Sequence, residues 1–153
     1  MKFDDIDRKL MTLLQEDCKK TTKEYALRLG LSNTAVYERI KRLEKSNTVK
    51  QYVALLNKDM VNRSFTVFCH VKLVQHTREN IQQFEKDVLK LIEVVECYHL
   101  SGDYDYLIKI HVKDMPAYRE FMVSKLTALH HIGSTQSSFS INEVKHTTAV
   151  STL

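Results

Sequence analysis

Apolar residues recur through the first 45 positions with helical spacing. Ile6, Leu10, Leu13 and Leu14 fall at i, i+4, i+7 and i+8, which predicts one amphipathic helix with Asp4 or Asp5 as its cap. Thr21 and Glu24 have the spacing of a capping box, and Tyr25, Ala26 and Leu29 form the inner side of a short second helix. Gly30 is suited to end that helix, Leu31 to plug the core, and Ser32 to cap a third helix with Val36, Ile40 and Leu43 inward. A short helix, the turn Gly30-Leu31-Ser32 and a longer helix give helix-turn-helix spacing. From Thr48 to Leu56 the pattern alternates and is β-rich, which predicts a wing or connecting strand.

Beyond residue 60 the period changes. Phe65, Val67, Cys69, Val71 and Leu73 alternate as in a strand. Ile81, Phe84, Val88 and Leu91 return to helical spacing behind Thr77. Val94 to Leu100 is β-like, and Tyr106, Ile108 and Ile110 alternate after a Ser-Gly-Asp turn. Asp114 caps a helix that tolerates Pro116 in its first turn and carries Tyr118, Phe121, Met122 and Leu129 inward. A last strand is expected from about Thr135 to Lys145. The order β-α-β-β-α-β is the ferredoxin-like arrangement, so the fold class is α+β: a winged helix-turn-helix over residues 1–60 and a ferredoxin-like domain with an antiparallel sheet over 61–153. Phe68, Val74, Leu107 and Phe139 are expected on the open sheet face, where a half-apolar surface calls for dimerisation.

Charge sharpens this division. Residues 1–60 hold 13 Lys/Arg against 9 Asp/Glu, while residues 61–153 hold 10 of each. The excess positive charge of the chain, +4, therefore lies wholly in the first part, where a polyanion would be met. No apolar run approaches membrane-spanning length, and the N-terminus lacks a basic start with an apolar stretch behind it, so a cytoplasmic protein is expected. Cys18, Cys69 and Cys97 form no C-x-x-C pair, which argues against a zinc knuckle or a disulfide framework.

The chemistry-bearing residues sit in two places. On the third helix, Asn33, Thr34, Tyr37 and Glu38 are candidates for base edges in a major groove, next to the capping Ser32. Arg39, Lys41 and Arg42 are candidates for phosphate contacts. In the second part, Leu100-Ser-Gly-Asp-Tyr-Asp-Tyr106 offers the carboxylates of Asp103 and Asp105 beside a tight turn at Gly102. An amino acid's ammonium group needs such acceptors, and its carboxylate needs donors of the kind found in the serine-rich stretch from Gly133 to Ser138. A plain polar hairpin turn would look the same. Of the seven histidines, His99 and His111 are the pair that could approach across strands, but no H-x-x-x-H or H-E-x-x-H pattern exists, and no metal or cofactor is expected.

Taken together, the segments Asp4 to Leu10, Leu29-Gly-Leu-Ser32 with Val36 to Glu44, Ser101 to Tyr106, Asp114-Met115 before Tyr118, and Glu143-Val144-Lys145 resemble the Lrp/AsnC family of transcription regulators over nearly the whole chain. The resemblance implies a DNA-binding domain joined to a domain that senses amino acids, and dimers that assemble into octamers or related rings. It implies an effector bound between dimers near the Gly-Asp turn. By matched position that pocket would use Leu100, Gly102, Asp103, Tyr104, Asp105, Met115, Ser138, Phe139 and Ser140. Here Ser138-Phe139-Ser140 is more polar than the aromatic-and-two-valine segment of the leucine-responsive members. That argues against leucine and makes a polar or sulfur-containing amino acid a candidate, as well as a member with no effector.

An alternative is an enzyme, since siroheme decarboxylases resemble the same two-domain fold and use histidines. A basic third helix suited to a groove, and the lack of clustered histidines, argue for the regulator.

Overall fold

The computed structural model describes residues 2–152. They form two compact units. One holds the chain up to Leu55 together with the segment from Val144 onward, and the other is Leu56–Glu143. In space the tail lies with the first unit, where Arg8, Thr12 and Gln15 supply hydrogen-bonding partners to residues 150 and 152.

The first unit contains α1 (Asp5–Glu16), α2 (Thr22–Leu29) and α3 (Asn33–Lys45). Local chemistry sets each boundary. Asp4 and Asp7 close a capping box on α1, and Thr21 and Glu24 close one on α2. Gly30 ends α2 at φ +66°, a left-handed conformation in which a Cβ is strained. The Ser32 hydroxyl accepts from the Ala35 N–H at 3.2 Å and starts α3. Leu10, Leu14, Tyr25, Ala26, Val36 and Leu43 form the shared core, with Leu29, Leu31 and Ile40 packed against it. Each fully buried Leu or Val of this set contributes about 1.5–3 kcal/mol. No strand forms among the described residues between Lys45 and Phe65, so the expected wing or connecting strand over 48–56 is absent. The alternation is real, but the segment pairs with no strand of its own chain, and Val53, Leu55 and Leu56 stay exposed.

The second unit runs β1 (Phe65–Leu73), α4 (Arg78–Val88), β2 (Val94–His99), β3 (Tyr106–Val112), α5 (Met115–Phe121) and β4 (Ile132–Phe139). The four strands pair antiparallel in the order β2-β3-β1-β4. Val67, Cys69, Val71 and Leu73 on β1 face inward with Tyr106, Ile108, Ile110 and Val112 on β3. They pack with Phe84 and Val88 of α4 and Tyr118 and Phe121 of α5. This is the ferredoxin-like βαββαβ fold that the periodicity predicts. The last helix departs from regularity. Residues Met122–Leu126 form a π-turn in which Thr127 N–H donates to the Met122 carbonyl. The extra residue per turn brings Leu126, fully buried, to the face where regular α spacing from Phe121 would bring Lys125.

Two strand expectations are corrected. β4 begins at Ile132 and ends at Phe139, starting before and stopping well short of the expected span from Thr135 to Lys145. Phe139 pairs opposite Val67, and its ring meets Phe65 at 5.8 Å and Tyr118 edge-on at 5.4 Å. Directly opposite residues share a face, so Phe139 lies at the edge of the helix-covered side and not on the open face. Phe68 and Leu107 do lie on the open face, with His70, Lys109, His111, Glu96 and Tyr98.

Candidate functional site

With Val36 and Leu43 buried and Ile40 half-buried, α3 turns its other side to solvent. Asn33, Thr34, Tyr37, Glu38, Lys41 and Lys45 are all exposed there. Lys41 is poised over the Tyr37 ring, 5.7 Å from its centroid, and pairs with Glu44 at 2.9 Å. That partner raises the Lys41 ammonium above its ordinary range. The Tyr52 hydroxyl also donates to Glu44 at 3.1 Å; burial first, and then this carboxylate, push the phenol up to about 12.

The two arginines, candidates for phosphate contacts, are paired with carboxylates of α1. Arg39 Nη1 donates to both Asp4 oxygens at 2.9 and 2.8 Å and to Asp7 Oδ1 at 2.6 Å. Arg42 Nη2 donates to the same Asp7 oxygen at 2.5 Å. Asp7 is 1% exposed. One buried carboxylate on α1 thus holds two cations of α3 that are one turn apart. Its backbone N–H, and then Arg39, hold the Asp4 carboxyl below the usual range, while Asp4 and Asp7 raise the Arg39 guanidinium. Arg39 is a strut between helices. Arg42, with its side chain 46% exposed, keeps one side toward water. Ser32 is committed to its cap. Asp7 is not legible as a functional partner along the chain, because its pairing spans more than thirty positions. An acidic residue inside an otherwise apolar helix stripe is the one signal that could have found it.

The predicted effector residues are spread along the sheet, from the β2–β3 turn to the start of α5. At one end, Leu100 to Asp105 join β2 to β3. Gly102 has φ +149°, and Asp103 is exposed. Asp105 is buried and committed. Its Oδ2 accepts from the Leu73 N–H at 2.7 Å, its Oδ1 lies 3.1 Å from His76 Nδ1, its carbonyl accepts from Leu100 N–H, and its N–H donates to Val71. It staples the turn to the end of β1. Tyr104 donates to Gln136 at 2.5 Å and meets the His70 ring at 5.1 Å.

Met115, 47% exposed, lies past the far end of β3, and Ser138, Phe139 and Ser140 run along and just beyond the end of β4. Ser138 sits opposite Phe68, and Ser140 N–H donates to Thr66. Met115 stands the length of β3 from the turn, about 20 Å at strand rise, whereas Ser138, level with Lys109, is two residues along β4 from the Gln136 that Tyr104 touches. A single chain does not bring Met115 and the turn into one pocket.

His99 and His111 do not meet either. His99 stacks on Tyr106 at the turn end of the inner face, while His111 is near the far end of β3 on the open face. Among the described residues no group of three or more His, Cys, Asp or Glu could hold a metal. None of their helices is long and apolar enough to cross a membrane.

A capped three-helix unit that exposes the face of its last helix, followed by a βαββαβ sheet unit, defines the class of helix-turn-helix regulators with an attached ligand-binding domain. Family models agree with this architecture. An AsnC-type helix-turn-helix domain matches residues 3–44, and an Lrp/AsnC ligand-binding domain matches residues 66–150. The chain belongs to the Lrp/AsnC family of transcriptional regulators. The leucine-responsive regulatory protein of Escherichia coli K12 is 38% identical over 143 residues, covering 94% of this chain and 87% of that one. A transcriptional regulator of Neisseria meningitidis, solved as a complex with L-Met, superposes with a TM-score of 0.93 at 34% identity, covering 97% and 96%. An AsnC-family regulator of Agrobacterium tumefaciens gives 0.90 at 35%, with the same coverage. These are regulators and not enzymes, so the decarboxylase alternative falls away.

Proposed function

We propose that the protein binds specific double-stranded DNA sites in the cytoplasm through the exposed face of α3. Asn33, Thr34, Tyr37 and Glu38 read base edges, and Lys41 and Arg42 meet phosphates. Lys45 joins them. The observation that carries this reading is the unbroken exposed polar row along α3, with its apolar side locked in the core. A helix held by its back in this way offers a rigid rod to a major groove about 12 Å wide.

The ligand-binding unit senses an amino acid, and the site forms between copies of the chain. Met115 lies about 20 Å along the sheet from the Gly102 turn, too far for one small molecule to touch both within a chain, whereas a second copy can bring the turn end of one chain to the Met115 end of another. The half-apolar open face, with Phe68, Leu107 and Tyr98, supports a dimer, and an octamer or similar ring is the proposed assembly. L-Methionine is the first effector to try, since the Neisseria relative was solved with it and Ser138 and Ser140 make the last strand polar.

The test has two arms on the intact oligomer. Footprinting on the protein's own upstream DNA should give a protected, salt-sensitive site. A thermal-shift screen of the twenty amino acids should give a selective rise for at least one, because a ligand specific to the folded state stabilises it by mass action. No protected site would overturn the DNA reading. No shift with any amino acid would overturn the sensing reading.

A further inference from the structure

The outward side of α1 carries an extended segment of the chain's own tail. Gln15 grips Val150 at two points: its Nε2 donates to the Val150 carbonyl at 3.0 Å, and its Oε1 accepts the Val150 N–H at 2.7 Å. This is the pattern that one strand offers another, supplied here by a side-chain amide. Two turns away, Arg8 Nη1 donates to the Thr152 carbonyl at 2.6 Å. The Thr152 hydroxyl donates to the Arg8 carbonyl at 3.2 Å and lies 3.0 Å from the Thr12 hydroxyl. Arg8, Thr12 and Gln15 follow i, i+4, i+7 spacing, a second stripe on α1 opposite the one in the core. Helix and tail line a cleft of about 550 Å³.

Where the chain leaves the sheet unit, Lys58 and Glu143 form an ion pair at 2.6 Å. These two residues follow the first passage out of the helical unit and precede the second, so both crossings are pinned together at their root.

We infer that the Arg8-Thr12-Gln15 face of α1 is a receptor for an extended peptide backbone, that its occupant is residues 150–152 of the same chain, and that this docking gives the helical unit a second tether to the sheet unit. Backbone groups make most of the contacts on the tail side, so the receptor reads an extended main chain more than a side-chain pattern. A single connection of some ten exposed residues leaves a small unit free to swivel. Two connections, joined by Lys58 and Glu143, restrict that freedom and present α3 in a narrower range of orientations. This consequence rests on the DNA reading of α3, whereas the docking itself does not.

Hydrogen exchange of the full-length protein, followed on a C-terminal peptide, tests the docking without DNA. The wild type should protect the Val150 amide at least tenfold over its intrinsic rate. Gln15→Ala should abolish that protection and leave the β1 and β3 peptides unchanged. An unprotected tail in the wild type, or protection unchanged in Gln15→Ala, overturns the inference. A second measurement identifies the occupant. In a chain carrying Cys18→Ser and Cys97→Ser, a Gln15→Cys/Val150→Cys pair should oxidise to a cross-link at monomer mass. A cross-link at dimer mass assigns the docked tail to a second copy and overturns the same-chain docking. If the docking holds, Gln15→Ala should weaken binding to the upstream DNA at least threefold with the salt slope unchanged; unchanged affinity overturns the orienting role alone.

Discussion

Arg39 of α3 donates to the buried carboxylate of Asp7 on α1 at 2.6 Å, and Arg42 donates to the same oxygen from one turn further on. This relationship divides the two arginines: Arg42, the more exposed, keeps a side free for the proposed phosphate contact, whereas Arg39 holds Asp4 as well as Asp7. A guanidinium already holding two carboxylates is poorly placed to exchange them for a phosphate. Its contribution to DNA binding is the angle at which α3 is held.

Asp7→Ala should therefore destabilise the helical unit. Removing one partner from a buried charge pair costs about 3–5 kcal/mol, and the partial exposure of both arginines lowers this to about 2–3 kcal/mol. Urea unfolding followed by helical circular dichroism measures it. A loss below about 0.5 kcal/mol would show that the arginines find equal partners in water.

Salt dependence separates struts from phosphate contacts. Each phosphate neutralised on B-DNA adds about 0.9 to the slope of log affinity against log salt. Lys45→Ala should reduce the slope by about that amount at unchanged stability. Arg39→Ala should reduce stability and leave the slope where it was. The reverse assignment of the two effects would place Arg39 on the DNA.

The boundaries of the helical unit were legible because their causes are local. Thr21 with Glu24, Gly30 and Ser32 each act within four positions, and each does in the structure what its residue type favours. The alternation on β1 and β3 likewise assigned their inner and outer faces. What escaped depends on partners distant in sequence. Arg39 reads as a surface cation until Asp7 is brought beneath it. The face of Phe139 depends on a register with Val67 that the strand pattern alone does not define. The segment 48–56 has a strand's alternation but no in-chain neighbour to pair with. Asp103 and Asp105 look alike in sequence, yet only Asp105 turns inward to hold Leu73. That Met115, a candidate effector residue, stands a full strand length from the Gly102 turn could not be seen until β3 was placed between them.

The commitment of Asp105 has a measurable consequence. Asp105→Ala leaves the Leu73 N–H buried without its acceptor, at a cost of about 1–3 kcal/mol. Asp105→Asn keeps an oxygen in place and should recover most of that loss in thermal unfolding. Equal instability of the two variants would mean that the charge, and not the hydrogen bond to β1, is what the turn requires.

His111 gives the sheet unit a pH dependence. Burial, followed by the nearby Lys58 and Lys109, lowers its imidazole below the ordinary 6.5, against smaller opposite pulls from Glu143 and Glu96. A folded state that disfavours the proton is stabilised relative to the unfolded chain above that ordinary value. The contribution is lost as pH falls from 6.5 through the lowered folded value. Melting temperatures at pH 7.5 and 5.5 should differ less in His111→Gln than in the wild type. An identical difference in both would remove His111 as the cause.

The central claim is that the exposed row of α3 chooses a DNA sequence. Fluorescence anisotropy of the intact oligomer on its own upstream duplex and on a scrambled duplex of equal length, at one physiological salt concentration, tests it most directly. The wild type should prefer the upstream duplex by about a thousandfold or more. Asn33→Ala/Tyr37→Ala should bring the two affinities close together while still binding both. Equal affinities in the wild type, or a preference untouched by the double substitution, would contradict it.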